Sequence, residues 1–135
     1  FNIKRLRNTL TDSHYDQRNR QGRHLVMLAN ISHRENKSIR GIGIDEQTAL
    51  CIDEKGNTTV FGKNKIWVLV VSADAISRQQ LMGPFCQIPF KVQVQSLQAT
   101  WGGTPAGKLT RGKWPLGGQP IKYTCINGKF AVTQE

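Results

Sequence analysis

The apolar residues change their period along the chain, and the change separates one helical segment from a series of strands. Between residues 20 and 31, Leu25, Met27, Leu28 and Ile31 recur at helical spacing and Val26 widens the face, which predicts an amphipathic helix. Residues 9–11 read as the end of a short strand that enters a loop over 12–18. The polar, charged stretch 30–40 predicts a second loop. Gly41-Ile42-Gly43-Ile44 opens a new segment, and residues 48–52 are strand-like. Asp53-Glu54-Lys55-Gly56-Asn57 is a turn signal before a strand at 58–61, and Gly62-Lys63-Asn64 is another before the apolar run 66–71.

Farther on, Phe90, Val92 and Val94 alternate with Lys91, Gln93 and Gln95 over residues 90–97, the pattern of a half-exposed strand. Residues 102–119 are rich in Gly, Pro and Lys and predict a loop. Residues 121–126 and 130–132, parted by Asn127-Gly128, predict a closing hairpin, because Asn-Gly favours the tight turns that hairpins use. The sum is a strand-loop-helix unit followed by a β-meander, without repeats or an internal domain boundary.

Composition narrows this picture. A chain of 135 residues is the size of one domain. A hydrophobic share of 38% is far from a disordered composition. No apolar run approaches the roughly 20 residues of a membrane-spanning helix, so no membrane partner is expected. The net charge of +10 favours anionic partners in general. There is, however, no recognition-helix signature, zinc spacing or aromatic platform among the basic residues, so nucleic acid is not the expected partner. Cys51, Cys86 and Cys125 lack metal-type spacing. One disulfide with a leftover thiol and three free thiols both stay open, as does the compartment, cytoplasmic or secreted. No initiator Met stands at position 1, and the native N-terminus is expected to lie outside this sequence.

The richest candidate chemistry lies in Asp12-Ser13-His14-Tyr15-Asp16-Gln17-Arg18-Asn19-Arg20-Gln21-Gly22-Arg23. Histidine can take and return a proton near neutrality. The arginines beside it are planar forks suited to carboxylates or phosphates. A second acidic site follows in Gly41-Ile42-Gly43-Ile44-Asp45-Glu46. Its glycines do not form a dinucleotide site, since the third glycine and the helix are missing. His24 and His33 have no matching role and are read as surface residues.

Together these segments resemble the C-terminal half of the cyanophycinase and dipeptidase E family of serine peptidases. That family carries a D-Q-H-F-x-x-R-x-R-x-x-R run, then G-I-G-I-D-E-x-T-A, then a V-x-G turn. Here Asp12, His14, Arg18, Arg20 and Arg23 stand in register with the first run, Gly41 to Ala49 with the second, and Val60-Phe61-Gly62 with the turn. The resemblance is strong over residues 9–71. It implies a three-layer α/β/α sandwich like the class I glutamine amidotransferase fold, with a mostly parallel sheet and a β-rich meander toward the C-terminus. Residues 1–135 would be one partial domain of it.

The resemblance further implies a Ser-His-Glu triad with His14 as base and Glu46 as the carboxylate that orients it. Asp45 is the rival for that place, because neighbours on a strand point to opposite faces. Asp12, Arg18, Arg20 and Arg23 fall where the family forms its substrate pocket, which implies a peptide or isopeptide substrate of acidic, aspartyl character. No metal and no organic cofactor is implied. Ser13 replaces the family's Gln, which loosens the expected specificity for the β-Asp-Arg polymer.

The family's serine sits in a G-G-T-S-A-G elbow upstream of the histidine, and no such elbow precedes His14. The nucleophile is therefore expected on a missing N-terminal segment, and the isolated chain is expected to be inactive. Trp101-Gly102-Gly103-Thr104-Pro105-Ala106-Gly107-Lys108 echoes the elbow, but Pro105 stands where serine would be. The echo reads as Gly-rich surface loop. A homodimer stays open as a partner. Two other functions stay open as well: a non-catalytic relative of the family, and a basic anion-binding or nucleic-acid-binding domain.

Overall fold

A computed structural model of the chain describes residues 6–71, 88–109, 120–126 and 129–133. The order of elements is β1 (Thr9–Ser13), α1 (Gln21–Glu35), β2 (Ile39–Ile44), β3 (Thr48–Ile52), β4 (Asn57–Gly62) and β5 (Lys65–Val71). These are followed by β6 (Ile88–Gln98), β7 (Thr104–Lys108), β8 (Pro120–Ile126) and β9 (Lys129–Thr133). The fold is mixed α/β and strand-rich. Six strands form one sheet in the order β1-β2-β5-β6-β8-β9, and β3-β4-β7 form a second.

β1 and β2 are parallel, joined by α1, and every other neighbouring pair in both sheets is antiparallel. A parallel pair needs a long crossover, and α1 supplies it. Along β2 and β5 the side chains alternate between two cores. Ile39, Leu69 and Val71 meet Leu25, Leu28 and Ala29 of α1 on one face. Ile42, Ile66 and Val68 meet Val60 and Ala106 of the small sheet on the other. The described layers are thus helix, large sheet and small sheet. The glycines of β2 serve the helical side. A Cβ on Gly41 would stand 2.6 Å from Leu28 Cδ1, and one on Gly43 about as close to three carbons of the Tyr15 ring.

Several expectations change. The helix runs to Glu35, not Ile31, and ends on Asn36 in the left-handed conformation. Its last turns bury Ser32, whose hydroxyl donates to the Lys37 carbonyl at 2.6 Å. A polar residue on the buried face hides the period, which is why 30–40 reads as a loop. The meander is also split. β4 and β5 do not pair, because the turn after Gly62 moves the chain from the small sheet to the large one. Gly62 has φ +124°, and a Cβ there would collide with the Gln47 carbonyl. Residues 104–108, expected within a loop, form β7, with Pro105 opposite Thr59 on an edge strand, the position in a sheet where proline is tolerated. The hairpin near the C-terminus forms as expected, with Ile126 opposite Lys129. Residues 110–119, Cys86 and the side chain of Cys125 lie outside the description. Cys51 is exposed and free.

Candidate functional site

The parallel pairing of β1 with β2 decides where the candidate residues meet. Ser13 lies opposite Ile44, so the two strands end level with each other. His14 leaves the first and Asp45-Glu46 the second, at the carboxyl ends of neighbouring parallel strands, where α/β sheets place their sites. His14 Nδ1 lies 2.8 Å from Glu46 Oε1, across 32 residues of sequence. A carboxylate can only accept, so Nδ1 carries the hydrogen and the neutral ring keeps a lone pair on Nε2. Nε2 has no partner among the described residues. Both side chains are nearly half exposed, at 46% and 43%.

The two turns that present this pair are stitched together. Tyr15 N–H donates to the Ile44 carbonyl at 3.3 Å. Glu46 N–H donates to Gln17 Oε1 at 3.1 Å. Asp45, only 5% exposed, points away from His14. Its Oδ1 accepts from Asp16 N–H at 3.0 Å and from Trp67 Nε1–H at 3.1 Å, and its Oδ2 accepts from Lys65 N–H at 3.1 Å. Glu46 therefore faces the histidine, and its rival Asp45 ties β5 and the His14 turn to the end of β2. His14 and Gln47 both adopt positive φ, +49° and +53°. A non-glycine residue holds that conformation only where its surroundings impose it.

The arginines divide. Asp12, on the helix-facing side of β1, accepts from Arg20 Nη1 at 3.2 Å and from Arg23 Nε and Nη2 at 3.0 and 2.8 Å. Burial alone would raise the Asp12 pKa. The Arg23 bonds and charge, the Ser13 amide and Arg20 outweigh it and hold the carboxyl below its usual range. Arg20 and Arg23 are thus engaged within the chain, whereas Arg18 is exposed and has no side-chain partner among the described residues. Lys65 Nζ lies over the Trp67 ring, 5.7 Å from its centre, at the start of β5.

His24, expected at the surface, is fully buried. Its Nε2 lies 2.9 Å from the Leu10 carbonyl oxygen and its Nδ1 3.0 Å from the Tyr15 hydroxyl. It sits within the helical period of Leu25 and Leu28, a signal that its polarity masked. Gln17 and Tyr15 were equally hidden, since nothing in their spacing marks a partner across the fold. No group of three His, Cys, Asp or Glu that could hold a metal occurs among the described residues. Compared with known proteins, the chain matches no protein-family model and no curated protein.

Proposed function

We propose that the chain is the C-terminal part of a cyanophycinase-like serine peptidase, with His14 as general base and Glu46 as its orienting carboxylate. The observation that carries this reading is the 2.8 Å contact between His14 Nδ1 and Glu46 Oε1. Such a contact fixes the tautomer that leaves Nε2 free to accept a proton, and it stabilises the imidazolium that results. A serine from a segment upstream of this chain attacks the carbonyl. As the Oγ–C bond forms, its proton passes to Nε2. The imidazolium then protonates the leaving nitrogen as the C–N bond breaks, and water repeats the sequence to release the acyl group. Backbone amides near the serine hold the oxyanion.

The substrate of this reading is a peptide or isopeptide with an aspartyl carboxylate beside the scissile bond. Arg18, exposed and unpaired among the described residues, offers its fork to that carboxylate, while Asp12 with Arg20 and Arg23 forms the pocket wall. The three-layer α/β/α sandwich belongs to the same proposal. Among the described residues β1 pairs with β2 alone and stands at an edge of the large sheet, the position that further strands of an upstream segment would extend.

A fluorophosphonate probe tests the reading on the full-length protein. It should label the upstream serine, and His14→Ala should lower the labelling rate by roughly 10⁴-fold. Undiminished labelling in His14→Ala refutes the assignment. No label on the unmodified full-length protein would leave a relative that keeps the fold without the chemistry.

A further inference from the structure

Past the ends of β1 and β2 the pairing of the two strands goes on, carried partly by side chains. Tyr15 N–H donates to the Ile44 carbonyl at 3.3 Å, Asp16 N–H donates to Asp45 Oδ1 at 3.0 Å, and Glu46 N–H donates to Gln17 Oε1 at 3.1 Å. These rungs advance one residue at a time on both turns, and the last one lands on the residue whose carboxylate meets His14. The other end of Glu46 is held as well. Its carbonyl accepts from Asn64 Nδ2–H at 2.7 Å and from the Thr48 hydroxyl at 3.0 Å. Asn64 stands in the turn between β4 and β5, and its own amide donates to the Thr48 hydroxyl at 3.0 Å. A backbone N–H can only donate and a carbonyl only accept, so Gln17 presents its oxygen and Asn64 its nitrogen.

We propose that Gln17 and Asn64 are positioning residues of the His14–Glu46 pair, acting through the backbone of Glu46. The inference rests on the reading of His14 and Glu46 as base and orienting carboxylate. Among the described residues only His14 bonds that carboxylate, and both partners are nearly half exposed. An exposed ion pair is weak by itself, because holding two side chains in one geometry costs entropy. A fixed backbone removes part of that cost, and supporting hydrogen bonds are what fix it. Asp45 ties the end of β2 to β5 and to the His14 turn, whereas Gln17 and Asn64 take hold of Glu46 itself, from two different turns.

Imidazole ¹⁵N NMR on the chain at pH 8, above the ordinary histidine range, reads the tautomer of His14. The unmodified chain should show the Nδ1–H form. Gln17→Met removes the acceptor of the Glu46 amide at nearly constant shape, and Asn64→Leu removes a donor to its carbonyl. Each should lower the ratio of the Nδ1–H to the Nε2–H tautomer by about fivefold, the worth of one hydrogen bond. Thr58→Val is the control. It removes a bond of the same kind in the small sheet, from the Thr58 hydroxyl to the Gly107 carbonyl at 2.6 Å, and should leave the ratio unchanged. An unchanged ratio in either folded variant overturns the proposal. An equal fall in Thr58→Val overturns it too, since the effect would then be one of general stability. Should Asn64→Leu not fold, Gln17→Met, at an exposed position, decides alone. In the unmodified chain the Glu46 amide should exchange with solvent about fivefold more slowly than an unbonded one, and exchange at the unbonded rate also overturns the proposal. Absence of the Nδ1–H tautomer from an unmodified chain whose Glu46 amide is protected would instead sink the His14–Glu46 reading itself.

Discussion

Replacing Asp45 should damage the fold far more than replacing its neighbour Glu46. Asp45 Oδ1 accepts two hydrogen bonds and Oδ2 one, all from donors between 3.0 and 3.1 Å away, at a site only 5% exposed. Asp45→Ala leaves the amides of Asp16 and Lys65 and the indole N–H of Trp67 without an acceptor. A hydrogen bond to a charged group is worth about 1.5–3 kcal/mol and an unsatisfied buried donor costs about 1–3. The terms overlap, so the expected loss is about 3–4 kcal/mol. Asp45→Asn can keep the bonds of Asp16 and Trp67 but turns its amide toward Lys65 N–H, donor against donor, for a loss of about 2 kcal/mol. Glu46→Ala removes one exposed pair and should stay within about 0.5–1 kcal/mol. Urea denaturation followed by circular dichroism reads all three against a total of about 5–15 kcal/mol. An Asp45→Ala loss below about 1 kcal/mol, or one equal to that of Glu46→Ala, would refute the assignment of Asp45 as the internal tie.

Other consequences follow from Asp12 and the glycines. The Asp12 carboxyl is held below its usual range, so the stability it contributes is present above about pH 4 and is lost as the pH falls through the folded value. Asp12→Asn should cost about 1–2 kcal/mol at pH 7 and flatten the acid limb of a stability–pH curve; an unaltered acid limb would count against the clamp. Gly43→Ala would drive a methyl into the Tyr15 ring and should cost about 1–3 kcal/mol. Gly102→Ala meets nothing within 4 Å and should be near neutral, so thermal melts that show equal losses at the two sites would refute the packing argument.

Legibility in the sequence followed the strength of local signals. The turn signals at 53–57 and 62–64 bracket β4 to within a residue, because Gly and Asn mark sharp turns whatever the fold around them. Strand β7 was illegible, since Thr104-Pro105-Ala106-Gly107-Lys108 has little strand propensity and is a strand only because β4 offers it an edge. The late turns of α1 were hidden for a related reason. Ser32 is a buried polar residue whose hydroxyl donates to the Lys37 carbonyl just past the helix end, and its polarity breaks the apolar period there. Of the candidate site, His14 and Glu46 were legible as residue types in a motif. The engagement of Arg20 and Arg23 with Asp12 was not, because equal charges along a sequence do not say which of them meet.

The sequence alone determined the elements whose cause is local: an amphipathic helix, the strands β3 to β5 and their turns, and a histidine beside a cluster of arginines. Tertiary structure decided which carboxylate the histidine meets. Neighbours leaving a strand diverge, and the level ends of β1 and β2 bring Glu46, rather than Asp45, to 2.8 Å from His14. It also decided that His24 is interior, since only the packing of α1 over Gly41 and Tyr15 gives that ring partners for both of its nitrogens. Strand pairing and layer packing join residues far apart in the chain, and no local period encodes those meetings.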